Sequence, residues 1–140
     1  MSRRPLLALL AVLATSCATA QTPPKLSASF AETFAGLYAE QQQALGRTDA
    51  TRPSLQTRAV CRRSGPQPEG PGEDWLCAVQ YVDGDTEATQ SFEVQAKPDG
   101  CWKAEGPPTV QPALLRDPQT GRSVVNRLAE FDGCLDTSWR

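Results

Sequence analysis

The sequence contains no histidine. That removes at once the commonest general base of enzyme catalysis and the commonest zinc ligand. Lysine is scarce, limited to Lys25, Lys97 and Lys103, and no SxxK motif occurs. A Ser–Lys pair therefore lacks its motif, just as a Ser–His pair lacks its base. No CxxC spacing is present, which argues against a cysteine-held metal and leaves no cofactor implied. Lys and Arg together number 14 against 16 Asp and Glu, for a net charge of −2, and no basic stripe forms. Nucleic-acid binding thus lacks its electrostatic footprint. There is no internal repeat and no low-complexity segment. Twelve Pro and ten Gly point to a loop-rich domain rather than a helical bundle, and 140 residues bound the chain to one domain.

What is present begins with a leader. Arg3 and Arg4 precede an apolar run from Leu6 to Ala14, and Thr15 to Ala20 are small throughout. This reads as a secretory signal, too short to span a membrane. Two cleavage readings stand side by side. Ala18-x-Ala20 before Gln21 fits ordinary signal peptidase, with a leader of 1–20. Ala14-Thr15-Ser16-Cys17 resembles a bacterial lipobox, with a leader of 1–16 and Cys17 as a lipidated N-terminus, although a larger aliphatic residue is usual where Ala14 stands. Either way Arg3 and Arg4 are lost, and the mature chain carries −4. A tether over 17–25 and a single domain over 26–140 follow. The expected location is secreted, or anchored at the outer face of the cytoplasmic membrane.

Cys17 accounts for the odd cysteine count, and Cys61, Cys77, Cys101 and Cys134 remain. In an exported chain an even set reads as a disulfide framework, and four cysteines allow three pairings. The pairing expected is Cys61–Cys77, joining two strands across a Pro/Gly loop, with Cys101–Cys134 holding the C-terminal tail to the body.

The stretch Trp75–Val82 organises the chain. Trp75, Cys77, Val79 and Tyr81 share one face of an extended segment, because side chains alternate with period two. Leu76, Ala78 and Val82 make the other face largely apolar, which suits a central strand covered on both sides. Upstream, Phe30, Phe34, Leu37, Tyr38 and Leu45 recur at helical spacing over Ser27–Leu45, with Gln41, Gln42 and Gln43 on the solvated half. Ser27 or Ser29 is the expected cap, Glu32 completing a capping box with Ser29, and Gly46 the stop. Strands are expected over 54–63, 75–82, 89–97 and from Cys101 to Ala104. Asp83-Gly84-Asp85 is a hairpin turn, and Lys97-Pro98-Asp99-Gly100 another tight turn. The last third is less regular: 113–115 suits a helical turn or a strand, and Val124, Val125, Leu128 and Phe131 lie close to helical spacing over 123–131.

The acidic groups offer little chemistry. Asp83, Asp85 and Glu87 lack the later Gly-to-Glu spacing of an EF-hand loop. Glu69, Glu73 and Asp74 fall in the 64–74 loop and Glu93 alternates outward, so none forms the facing pair that glycoside chemistry needs.

Three resemblances are carried by particular residues. Gln80-Tyr81-Val82-Asp83-Gly84 matches QxVxG, the hairpin wedge of the cystatin family, and implies inhibition through Gln80, Val82 and Gly84. The motif comes one strand later than in cystatins, and no Pro-Trp second wedge accompanies it. Cys101-Trp102-Lys103-Ala104, with cysteine gaps of 16, 24 and 33, is similar to the secreted subtilisin-inhibitor family of bacteria. That likeness implies Lys103 as the specificity residue and Lys103–Ala104 as the reactive bond. The chain departs from that family between Cys77 and Cys101, where a hairpin replaces a helix, and in its N-terminal helix. Finally, Gly70–Cys77, Asp99–Pro108 and Phe131–Cys134 resemble small exported proteins and lipoproteins of high-GC Gram-positive bacteria, a likeness that spans roughly 60–136 and implies location and fold.

The expectation is thus an α+β domain. One N-terminal helix packs on an antiparallel sheet of about four strands, cystatin-like in outline, with two disulfides. The expected function is non-enzymatic: an envelope lipoprotein that binds a protein or peptide partner through loops 64–74 and 105–112 or through an exposed sheet edge. A secreted protease inhibitor is the alternative.

Overall fold

The computed structural model of the chain describes residues 21–135. Helix α1 spans Pro23–Ala44 and begins inside the stretch expected as a tether. Pro23 and Pro24 occupy the first two helical positions, where no N–H is needed, and the Thr22 side chain accepts the Lys25 N–H as N-cap. The expected caps, Ser27 and Ser29, sit within the helix and have other work. At the far end Gly46 takes a φ of 88°, while the Gly46 and Arg47 N–H groups bond Gln43 O and Gln42 O. This is a Schellman closure, in which only glycine avoids the left-handed penalty.

Five strands form one antiparallel sheet in the order β1-β2-β3-β4-β7: β1 Arg58–Arg63, β2 Gly72–Asp83, β3 Thr86–Ala96, β4 Cys101–Glu105 and β7 Glu130–Cys134. Between β4 and β7 the chain makes a separate two-stranded ribbon, β5 Leu114–Arg116 with β6 Ser123–Val125. The sheet thus has one strand more than expected, and the helical reading of 123–131 is corrected. Asn126 breaks that periodicity: its N–H bonds Ala113 O and its side-chain amide bonds Pro112 O, fixing the ribbon instead.

The helix covers one face only. Leu26, Phe30, Phe34 and Tyr38 bury against Trp75, Cys77, Val79, Tyr81, Phe92, Val94, Trp102, Ala104 and Phe131. The Phe30 ring lies 5.4–5.5 Å from Phe92, Trp102 and Phe131, in tilted geometries that aromatic quadrupoles favour. The reading of β2 as covered on both sides is therefore corrected: Leu76 is 45% exposed and Gln80 faces solvent. Gln41, expected on the solvated half of α1, is buried, and its side-chain oxygen accepts the Arg127 N–H.

The sheet curls until both its edges meet the helix. On edge strand β1, the Cys61 N–H bonds Ser27 Oγ at 2.8 Å. On edge strand β7, Cys134 O accepts from Ser29 Oγ at 3.0 Å, and the same hydroxyl accepts the Trp102 indole N–H at 2.9 Å. Two serines on opposite sides of one helical turn thus seal the middle of one edge and the end of the other. Gly133 permits the close approach at β7, because a Cβ there would stand 2.5 Å from the Trp102 ring.

Both expected disulfides are present, each between directly opposed residues of adjacent strands. Cys61–Cys77 ties β1 to β2, and Cys101–Cys134 ties β4 to β7. Cys61 and Cys77 point into the core. Cys101 and Cys134 share the outer face with Lys103, opposite Trp102 and Ala104. Such crosslinks belong to an oxidising environment. Among the described residues no helix is long and apolar enough to cross a membrane.

Candidate functional site

The sheet has two ends. One carries Thr22, the 64–71 loop, the Lys97–Gly100 turn and Leu135. The other carries the helix C-terminus, the β2–β3 hairpin and the 106–129 excursion with its ribbon. Loops 64–74 and 105–112, both expected to contact a partner, lie at opposite ends. Each sheet edge is touched by one helix serine, β1 at Cys61 and β7 at Cys134.

The Lys103–Ala104 bond lies inside the ladder, with Lys103 between Gln95 and Asp132 and Ala104 between Val94 and Phe131. Ala104 is fully buried, and the Lys103 ammonium bridges Glu130 at 2.9 Å and Glu105 at 3.2 Å. Those carboxylates, Glu130 foremost, hold the Lys103 ammonium above its ordinary range. A protease needs an exposed segment with free backbone groups, so this bond cannot serve as a reactive bond without unpairing the strand, and that expectation is corrected. Cys17 lies outside the described residues.

The hairpin motif is placed differently. Gln80 is exposed on the outer face, Val82 is half-buried, and Gly84 stands at the tip with a φ of 64°. Asp83 pairs with Thr86, which leaves a two-residue loop with glycine at its first position. The hairpin is braced from behind. Arg47 grips the Asp83 carboxylate through both terminal nitrogens, at 2.8 and 2.5 Å, and the Tyr38 hydroxyl donates to the same carboxylate at 2.5 Å. Leu55 O accepts the Val82 N–H at 2.7 Å.

These contacts set the local ionisation. The Arg47 guanidinium, bonded to Asp83, holds that carboxyl below the usual range, with Tyr38 adding in the same direction. Asp83 in turn keeps Arg47 charged. Burial, then the bond to Asp83, pushes the Tyr38 phenol well above its ordinary value. Burial likewise raises the Tyr81 phenol.

A second polar chain continues from this end into the excursion. The Gln90 amide donates to Tyr81 Oη at 2.8 Å, and Gln111 donates to Gln90. Asn126 donates to Gln111 at 2.9 Å and accepts the Leu128 N–H at 3.0 Å. Gln111 and Asn126 are buried, so this amide cluster roots the ribbon in the body. Sequence reading missed Tyr38, Arg47, Gln90, Gln111 and Asn126 as a set. They come from five separate segments, and no spacing or motif announces them.

The opposite end has its own clamp. Arg63 holds Asp74 Oδ1 at 2.9 and 2.7 Å, the Gly65 N–H takes the other oxygen, and the Trp75 indole donates to Gly70 O. Arg63, in hydrogen-bond contact, holds the Asp74 carboxyl below its usual range. A groove of about 610 Å³ runs along the outer side of α1, past Glu32, Gly36, Leu37 and Arg52 to Leu135. The displaced ionisations of Asp74, Asp83 and Lys103 are thus all accounted for by partners inside the fold. Among the described residues no group of three or more acids and cysteines is placed to hold a metal ion.

What the geometry defines is a class of architecture: an α+β domain whose five-stranded sheet curls round one helix, held by a cross-strand disulfide on each face. No protein-family model, no curated protein and no solved structure matches this chain.

Proposed function

We propose that the chain is an exported, non-enzymatic protein of the cell envelope, lipid-anchored through Cys17, that binds a protein or peptide partner. Support for export comes from the leader and from the two disulfides. The binding role rests on one observation: α1 covers only one face of the sheet, and the outer face stays open with Val60 and Leu76 on it. Apolar side chains grouped on an uncovered face are a feature of interaction surfaces. A non-catalytic role is consistent with the absence of histidine and with carboxylates already engaged as braces.

Mass spectrometry of the mature protein tests the anchor: a diacylated Cys17 at the N-terminus supports it, and a free Gln21 terminus removes it. Photo-crosslinking residues placed at Leu76 and at Gly84, in cells of the source organism, test binding. A discrete adduct from either position supports a partner, and none from both removes it.

A second reading, inhibition of a cysteine protease by the 80–84 hairpin, is favoured by the brace on Asp83, since rigid exposed hairpins bind with little ordering cost. Stoichiometric loss of papain activity on titration supports it, and unaffected activity removes it.

A further inference from the structure

The outer face is not uniform. On its β1–β2 side, Arg58, Val60 and Arg62 line up on β1 opposite Gln80, Ala78 and Leu76. Val60 is 57% exposed and lies diagonal to the exposed Leu76. Neither Arg58 nor Arg62 has an ion-pair partner among the described residues, although the chain as a whole is acidic. The β3–β7 side of the same face is of opposite character, carrying Glu93, Glu105, Glu130 and Asp132, with Lys103 already engaged by Glu105 and Glu130.

We infer that the β1–β2 strip binds an extended polypeptide segment in which two acidic residues flank an apolar one. The inference rests on the partner-binding reading above and names the chemistry of that partner. Charge complementarity selects the acids: a carboxylate over each arginine satisfies a cation that has no ion-pair partner among the described residues. The apolar residue between them covers Val60 and Leu76. Arg58 and Arg62 are four residues apart on one strand, roughly 13 Å at about 3.3 Å per residue. An extended ligand matches that span with acids at positions i and i+4 and the apolar side chain at i+2. The carboxylates of β3, β4 and β7 repel the same ligand, so it runs along the strands rather than across them. Strand addition at the β1 edge is a poorer alternative, because Ser27 already takes the Cys61 N–H there.

Selection of a random 12-residue peptide library, displayed on phage, against the processed full-length protein tests this. Expected are peptides with acids four apart around Val, Leu or Ile. Their affinity should fall about tenfold for the doubly substituted Arg58→Gln/Arg62→Gln protein and also fall at raised ionic strength. The Val60→Ser/Leu76→Ser protein should lose binding to the same peptides while keeping its fold by circular dichroism. Enrichment of basic or neutral peptides, equal affinity for the arginine variant, or no enrichment overturns the inference. A crosslinked partner found from Gly84 but not from Leu76 also overturns it while leaving partner binding intact; adducts from neither position remove both.

Discussion

Reduction should separate the two disulfides. Cys61 and Cys77 are 1% and 0% exposed and lie beneath α1, whereas Cys134 is exposed at the outer face and Cys101 is partly so. Thiol–disulfide exchange requires a thiolate to reach a sulfur, so access decides the order at neutral pH in the native state. Chain entropy ranks the bonds the other way. The loops they close have sequence separations of 16 and 33, which correspond to about 3 kcal/mol for Cys61–Cys77 and about 4 kcal/mol for Cys101–Cys134. The bond worth more is therefore the one more easily lost. A domain of this size holds roughly 5–15 kcal/mol in total, so the singly reduced protein should stay folded but with a large share of its stability gone. The assay is titration with dithiothreitol, trapping with iodoacetamide and peptide mass spectrometry, followed by urea unfolding of the Cys101→Ser/Cys134→Ser protein. Alkylation at Cys101 and Cys134 should precede that at Cys61 and Cys77, whose reduction should track global unfolding. Alkylation at Cys61 and Cys77 first, or at all four in step, would refute the placement of these bonds on opposite faces.

Three further outcomes are expected. Ser29→Ala should cost about 2 kcal/mol in urea unfolding, because it strands the buried Trp102 indole N–H; a loss below about 0.5 kcal/mol would show that this donor finds another acceptor. The Asp83 carboxyl titrates below its unfolded value of about 3.9, so its stabilisation is complete above that value and is lost as pH falls through the folded one. Asp83→Asn should therefore destabilise the protein near neutral pH by about 2 kcal/mol and flatten part of the acid decline, the remainder belonging to groups such as Asp74; an unchanged decline would remove the Arg47–Asp83 brace. Asn126→Ala should loosen the ribbon, seen as faster limited proteolysis between Pro112 and Arg127 with the sheet intact by circular dichroism; unaltered cleavage would show that the amide cluster does not root it.

Much of this architecture follows from short-range pattern. Trp75, Cys77, Val79 and Tyr81 share a face because alternation is a property of extended backbone, whatever surrounds it. Gly84 and Gly100 mark turns because their backbone takes positive φ. The cysteine pairing was likewise within reach, since the expected export makes crosslinks available and the Pro/Gly loop brings Cys61 back towards Cys77. One contact candidate lay beyond that reach. The subtilisin-inhibitor likeness placed a reactive bond at Lys103–Ala104, and four residues of local sequence with the cysteine gaps could not reveal that β7 would pair there after the 106–129 excursion.

The amino-acid order alone marked out the helix's apolar stripe, the two-residue alternation of β2 and β3, the turns and an even set of cysteines for pairing, all consequences of local periodicity or covalent chemistry. Tertiary structure decided the rest. It chose which of two apolar faces of β2 would be covered, because one helix can cover only one side. It turned Ser27 and Ser29 from expected caps into edge seals, because the sheet curls far enough to reach them. It left Arg58 and Arg62 beside Val60 and Leu76 on an open face, because neighbours across a sheet are set by strand order and register, which no single stretch of sequence contains.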